Sequence, residues 1–205
     1  MAPTFKVTYF DIMALGEPIR ILLSYGGFDW EDNRVTKENW PVLKPTVPMG
    51  QLPILEHNGK VAHQSIAICR YLGKLTKLVG KDDWEDLEID AAADTVNDYR
   101  AKVGRYHYEA DPVQKEKIGE QLFSEIVPFY SKKLDEQAKN NNGFLAVGRL
   151  TWADLLFVGL IDYMNFMAKK DLLAGVPNLQ KVKENVLAVP NVKTYISNRS
   201  DNHIF

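Results

Sequence analysis

The feature that most constrains this chain is a hairpin signal that runs directly into a helix signal. Two strand-like runs, Pro53-Ile54-Leu55-Glu56 and Val61-Ala62-His63, flank His57-Asn58-Gly59-Lys60. Asn-Gly in such a setting favours a two-residue turn, because both central residues need positive φ. Gln64-Ser65 follows at once, and Ile66, Cys69, Tyr71 and Leu72 carry an apolar stripe at helical spacing. A strand pair feeding a helix has to bury its apolar face against further layers, so more sheet is expected close by.

That sheet reads out of the preceding residues. Phe5 to Phe10 alternates, with Phe5, Val7 and Tyr9 on one face and Lys6 and Thr8 on the other. Gly16-Glu17-Pro18 opens a helix with proline in its first turn, Ile19, Leu22 and Leu23 form its stripe, and Gly26-Gly27 ends it. Asp29 to Val35 is a second strand. The order β-α-β, an irregular segment, then β-β-α implies a mixed sheet flanked by helices.

Beyond a polar stretch at residues 76–82 the pattern becomes helical throughout. Trp84 to about Tyr106 is one long helix, and Asp111-Pro112 starts another that Asn140-Asn141-Asn142-Gly143 ends. Thr151-Trp152-Ala153-Asp154 has the form of a capping box ahead of the apolar run Leu155 to Ile161. Pro177 and Pro190 punctuate two shorter helices. The expected division is an α/β domain over 1–75, a linker over 76–82 and an all-helical domain over 83–205.

Composition excludes several classes of function. The net charge is −2 over 205 residues, with Lys and Arg dispersed, so no basic stripe exists to follow a nucleic-acid backbone. Cys69 is the only cysteine, which rules out an intrachain disulfide and a thiolate zinc site. No run of about 20 apolar residues is present to span a bilayer. The first residues have no basic region followed by an apolar run, so a cytoplasmic setting is the expectation.

Five signals could carry chemistry, and each has a plainer reading beside it. Pro53 could follow a cis bond that turns the Leu52 backbone outward, where an extended peptide could pair with it. A trans proline starting an edge strand is the simpler alternative. Gln64-Ser65 sit where a strand feeds a helix, a place suited to binding carboxylates, though Ser65 could simply cap the helix. Tyr9 ends the first strand, where ligands gather in such sheets, or is a half-buried strand aromatic. Trp40 and Lys44 stand four residues apart in a proline-rich segment and could clamp a small anion, or Trp40 could cover core.

Taken together these residues resemble the cytosolic glutathione transferases, most closely the sigma class, which includes insect enzymes and the haematopoietic prostaglandin D synthases. The resemblance runs through Val7-Thr8-Tyr9-Phe10, Gly16-Glu17-Pro18-Ile19-Arg20, Trp40-Pro41 with Lys44-Pro45, and Pro48-Met49-Gly50-Gln51-Leu52-Pro53-Ile54-Leu55. It continues through His63-Gln64-Ser65-Ile66-Ala67-Ile68, Arg70-Tyr71-Leu72, Asp94-Thr95 with Asp98, and Leu150-Thr151-Trp152-Ala153-Asp154.

The resemblance implies a thioredoxin-like first domain that binds glutathione and a helical second domain that walls the electrophile. Tyr9 would be the catalytic hydroxyl. Leu15, Trp40, Lys44, Gly50 and Gln51 would lie along glutathione, with Trp40, Lys44 and Gln51 at its glycine end. The Leu52 backbone, before a cis Pro53, would pair with the cysteinyl unit, and Gln64 and Ser65 would take the γ-glutamyl carboxylate. Asp98 would reach glutathione in the partner subunit of a homodimer. Phe10, Met13, Leu15, Arg100, Tyr106, Tyr108 and Phe205 would line the electrophile side. No metal is implied.

The chemistry needs a hydroxyl. A free thiol titrates near about 8.5, and the thiolate is the nucleophile. Lowering that by about two units needs roughly 2.7 kcal/mol, and one charge-assisted hydrogen bond supplies about 1.5–3 kcal/mol. The sulfur would then attack an electrophilic carbon or a peroxide oxygen. Cys69, on the helix after Ser65, is expected to pack as a small hydrophobe.

The chain also departs from the prostaglandin synthases. It has Leu15 where they carry an arginine, Arg105 where they carry an aromatic, and Asn97 in place of a carboxylate between Asp94 and Asp98. These changes weigh against prostaglandin isomerisation and a metal at the interface. A non-catalytic, crystallin-like role on the same fold is the remaining alternative.

Overall fold

The computed structural model describes residues 4–199. A four-stranded sheet in the order β2-β1-β3-β4 is built from β1 (Phe5–Phe10), β2 (Trp30–Val35), β3 (Ile54–His57) and β4 (Lys60–His63). Strand β1 runs parallel to β2, with Tyr9 opposite Arg34, and antiparallel to β3, with Thr8 opposite Ile54. The β3-β4 hairpin turns at Asn58 and Gly59, both at positive φ as the Asn-Gly pair requires.

Helix α1 (Glu17–Tyr25) and helix α3 (Ser65–Leu75) belong to this sheet unit. Phe5, Val7 and Tyr9 are buried together, as the alternation implies. Thr8 on the opposite face is buried too, and its hydroxyl accepts from the Asn33 side-chain amide at 3.1 Å. The irregular segment is a chain of short helical turns: α2 (Trp40–Leu43), then turns over Lys44–Thr46 and Pro48–Gly50.

One reading is corrected here. The simpler sequence reading made Pro53 a trans residue opening an edge strand. In the structure the Leu52–Pro53 bond is cis, and β3 is an inner strand between β1 and β4. Pro53 escapes the ladder because the strand begins one residue later.

The remaining residues are helical: α4 (Asp83–Tyr108), α5 (Pro112–Gln121), α6 (Val127–Asn140), α7 (Trp152–Ala168), α8 (Pro177–Leu187) and α9 (Pro190–Asn198). The helix expected from Asp111 to Asn140 is present, but a π-turn over Leu122–Ile126 divides it into α5 and α6. Pro128 follows in the first turn of α6, where its missing N–H is accommodated. Among the described residues no helix is long and apolar enough to cross a membrane.

Helix α7 is the centre of the molecule. Nearly every one of its residues is buried, Trp152 and Phe157 among them. Its start is held by Asp154, whose carboxylate accepts from the Thr151 N–H at 2.8 Å, the Thr151 hydroxyl at 3.0 Å and the Leu145 N–H at 2.7 Å. Asp154 thus supplies the reach-back half of the capping box and ties down the preceding loop as well.

Asp154→Ala leaves two buried N–H groups unpaired, each costing about 1–3 kcal/mol. Stability is expected to fall by roughly 3 kcal/mol. Urea unfolding at fixed protein concentration checks this: the midpoint drops and the slope stays constant.

Candidate active site

The end of β1 places Tyr9 beside the loop leading to α1. Its ring is buried, and its hydroxyl oxygen accepts from the Leu15 N–H at 3.4 Å. With that lone pair engaged, the hydroxyl proton is left to donate elsewhere. Burial is the largest influence on Tyr9 and pushes its pKa up to about 12, against the pull of the Leu15 N–H, Arg20 and Arg100. The hydroxyl therefore stays protonated, a hydrogen-bond donor, across the physiological range.

Next to Tyr9 lies a cavity of about 470 Å³, lined by Phe10, Leu15, Trp40, Lys44, Gly50, Gln51, Leu52, Pro53, His63, Gln64 and Ser65. One end is cationic, where Lys44 packs its stem close to Gly50. Gly50 has φ +58°, a conformation few side chains adopt. Trp40 meets Phe10 edge to face at 5.3 Å. The middle is backbone: among the described residues, no main-chain hydrogen bond engages the N–H or C=O of Leu52. An extended ligand can take both groups as a partner strand would.

The other end is the N-terminus of α3. Gln64 precedes it with φ 72° and ψ 106°, a strained geometry for a side chain of this kind. The open N–H groups of the first turn face an anion best. The cavity thus offers a cation, the unpaired Leu52 backbone and a helix terminus along its lining. That is suited to a short extended peptide with a carboxylate at each end.

Two family models match the chain: the glutathione S-transferase N-terminal domain over residues 5–74 and the C-terminal domain over residues 97–199. The chain belongs to the glutathione S-transferase family. It is 52% identical over 197 residues to a glutathione S-transferase of Anopheles gambiae, covering 96% of this chain and 97% of that one. It is 33% identical to the haematopoietic prostaglandin D synthase of Rattus norvegicus, covering 96% and 97% of the two chains. The solved prostaglandin synthase D of Nilaparvata lugens superposes with a TM-score of 0.92 at 42% identity, over 97% of this chain and 99% of that one.

The transferase's second half closes the open side of Tyr9. Arg100 and Tyr108 stand on α4, and both act electrostatically on Tyr9. The Tyr108 hydroxyl lies 2.6 Å from that of Tyr163 on α7. Burial is the main reason that Tyr163 holds its proton far above the ordinary range, and its bond to Tyr108 adds to it. A second cavity of about 530 Å³ shares Phe10 and Trp40 with the first and is lined further by Asp11, Ile12, Val35, Thr36 and Lys37, all from the sheet unit.

Not every residue expected here is brought together. Met13 is buried under the turn before α1, its carbonyl accepting from the Gly16 and Glu17 N–H groups, and it lines neither cavity. Tyr106 points away, packing edge to face on Phe123 at 5.4 Å. Asp98 is exposed on α4 near Tyr130 and does not line the cavity. Phe205 lies outside the described residues. Among the described residues no group of three His, Cys, Asp or Glu side chains could hold a metal ion.

His63 and Tyr163 were not singled out from sequence. His63 had a signal, being the last strand residue before Gln64. Tyr163 had none, because only the tertiary fold sets it against Tyr108. Cys69 is fully buried, and burial raises its thiol well above the usual range.

Gly16 gives Tyr9 its room: a Cβ there would fall 2.6 Å from Tyr9 Cδ1. Gly16→Ala is expected to displace the ring and cut turnover by roughly tenfold or more. Steady-state assay alongside circular dichroism checks this, with the spectrum unchanged.

Proposed function

We propose that this protein conjugates glutathione to apolar electrophiles, lipid peroxidation products among them, with Tyr9 donating a hydrogen bond to the sulfur. The observation that carries the reading is the protonated Tyr9 hydroxyl, held by Leu15 at the edge of a cavity suited to an extended peptide with a carboxylate at each end. Lys44, Trp40 and Gln51 hold the glycine carboxylate, and Gly50 lets the backbone approach. Leu52, before Pro53, pairs with the cysteinyl unit. Gln64, Ser65 and the α3 terminus hold the γ-glutamyl end.

In the mechanism, the extended ligand is fixed at both ends and its thiol is brought to the Tyr9 hydroxyl. The hydroxyl favours the ionised sulfur only, so it lowers the thiol pKa without itself ionising. The electrophile stands against Phe10, Leu15, Arg100 and Tyr108. The Tyr108–Tyr163 hydroxyl pair and Arg100 supply polar contacts for a carbonyl or leaving group.

Tyr9→Phe is expected to raise the pKa of bound glutathione by about two units, toward 8.5. Thiolate absorbance of the bound ligand across pH measures it, with glutathione affinity held within a few-fold. Since Tyr9 itself titrates near 12, the rise of wild-type activity between pH 6 and 8 should report the thiol alone. An unchanged thiolate midpoint in the variant would reject the assignment.

The working form is a cytoplasmic homodimer in this reading, with Asp98 of each subunit reaching the γ-glutamyl amine in the other. Asp98→Ala should raise the KM for glutathione by roughly tenfold, the loss of one charge-assisted bond. An active monomer in sedimentation would count against that contact. A second reading, glutathione-dependent prostaglandin isomerisation, is favoured by the likeness to the two prostaglandin synthases. Product analysis with a prostaglandin endoperoxide separates the two.

A further inference from the structure

A buried charged chain links the last described helix to the loop that holds Tyr9. Its hub is Arg20 on α1, which has no solvent exposure. The guanidinium donates to the Ile12 carbonyl at 2.9 Å and, from its other amino group, to the Phe10 carbonyl at 3.5 Å. It also lies 5.9 Å from the centre of the Tyr9 ring. The residues following Tyr9 are therefore pinned from beneath by one side chain. That loop leads to Leu15, whose N–H sets the Tyr9 hydroxyl.

Arg20 is itself held by carboxylates on two sides. Asp32 on β2 takes its Nε at 3.0 Å, and Glu17 lies 3.4 Å from an amino nitrogen. Glu17 is 1% exposed, so its charge depends on protein partners alone. Two of them come from the far end of the chain. The Tyr195 hydroxyl donates to Glu17 at 3.1 Å, and Arg199 donates to its other oxygen at 2.6 Å. Arg199 also reaches Asp162 on α7 at 3.4 Å.

We propose that Arg199 and Tyr195 are positioning residues for the Tyr9 hydroxyl, acting through Glu17 and Arg20. Neither lines the glutathione cavity, so neither meets the peptide. Each fixes one lone-pair direction of the Glu17 carboxylate. The carboxylate orients the Arg20 guanidinium, and the guanidinium sets where the Phe10 and Ile12 carbonyls stand. Removing the Arg199 charge leaves Arg20 as the one cation on Glu17 among the described residues, and the pair relaxes toward each other. The carbonyls that Arg20 held are then released, and the hydroxyl loses its aim at the sulfur.

This inference rests on the proposed role of Tyr9, and the test separates the two. Arg199→Met, Arg199→Lys, Tyr195→Phe and Tyr9→Phe are compared, together with the double variant Tyr9→Phe/Arg199→Met. Arg199→Met should lower kcat by roughly tenfold, the scale of a small misplacement of a catalytic group. The thiolate midpoint should move up by about half to one pH unit, and the KM for glutathione should stay within about twofold. Arg199→Lys should recover part of both, and Tyr195→Phe should show a smaller shift in the same direction.

The double variant decides whether the effect passes through Tyr9. With the hydroxyl already gone, Arg199→Met should move the midpoint no further. An equal additional shift in that background would overturn the proposal, as would a folded Arg199→Met protein with wild-type midpoint and kcat. If Arg199→Met does not fold, Tyr195→Phe carries the same comparison, in single and double form. A wild-type protein whose bound glutathione does not ionise below its free pKa would instead remove the Tyr9 reading beneath it.

Discussion

The close crossing of α1 and α7 underlies the whole arrangement. At Gly159 a Cβ would lie 2.7 Å from the Pro18 backbone and 2.8 Å from its ring, so α7 meets Pro18 with bare backbone. Helix α1 carries the loop that holds Tyr9, and α7 carries the core of the helical half. Their contact fixes the distance between the glutathione cavity and the Arg100–Tyr108 wall. Packing of this kind is unforgiving, because interiors close up at crystal-like density and one added methyl has to displace something. A second close approach, Gly73 against Trp152, holds α3 to the same helix.

The cavity proposed for glutathione divides its labour between backbone and charge. Its middle is a strand-like stretch with free main-chain groups, and its ends are a lysine and a helix terminus. None of these needs to move when a ligand arrives. The side proposed for the electrophile is different in kind: aromatic rings, Arg100 tied to Asn97, and a pair of hydroxyls.

Much of this was legible in the chain, and the reason differs by region. The hairpin, the helix starts at Pro18, Pro112, Pro177 and Pro190, and the Asp154 cap are local devices, so local sequence states them. The residues proposed to hold glutathione lie in short contiguous runs, Gly50 to Pro53 and Gln64-Ser65, which carry their spatial relation in their order. The electrophile wall does not. On α4, Tyr106 stands six residues from Arg100, about one and two-thirds turns, and so faces another way, while Tyr108 returns to the same side. The partnership of Tyr108 with Tyr163, and of Glu17 with Arg199, joins residues 55 and 182 positions apart. No pattern of period two or 3.6 can register such a pair. The π-turn before Pro128 likewise answers a packing demand that composition does not encode.

The burial of Cys69 has a consequence for durability. A catalyst that lives among reactive carbon centres is exposed to alkylation of its own sulfur. Here the single thiol of the chain is sealed within the core and held in its neutral, unreactive form. The surface offers soft electrophiles no competing thiolate, so alkylation at cysteine is closed to them while the fold is intact.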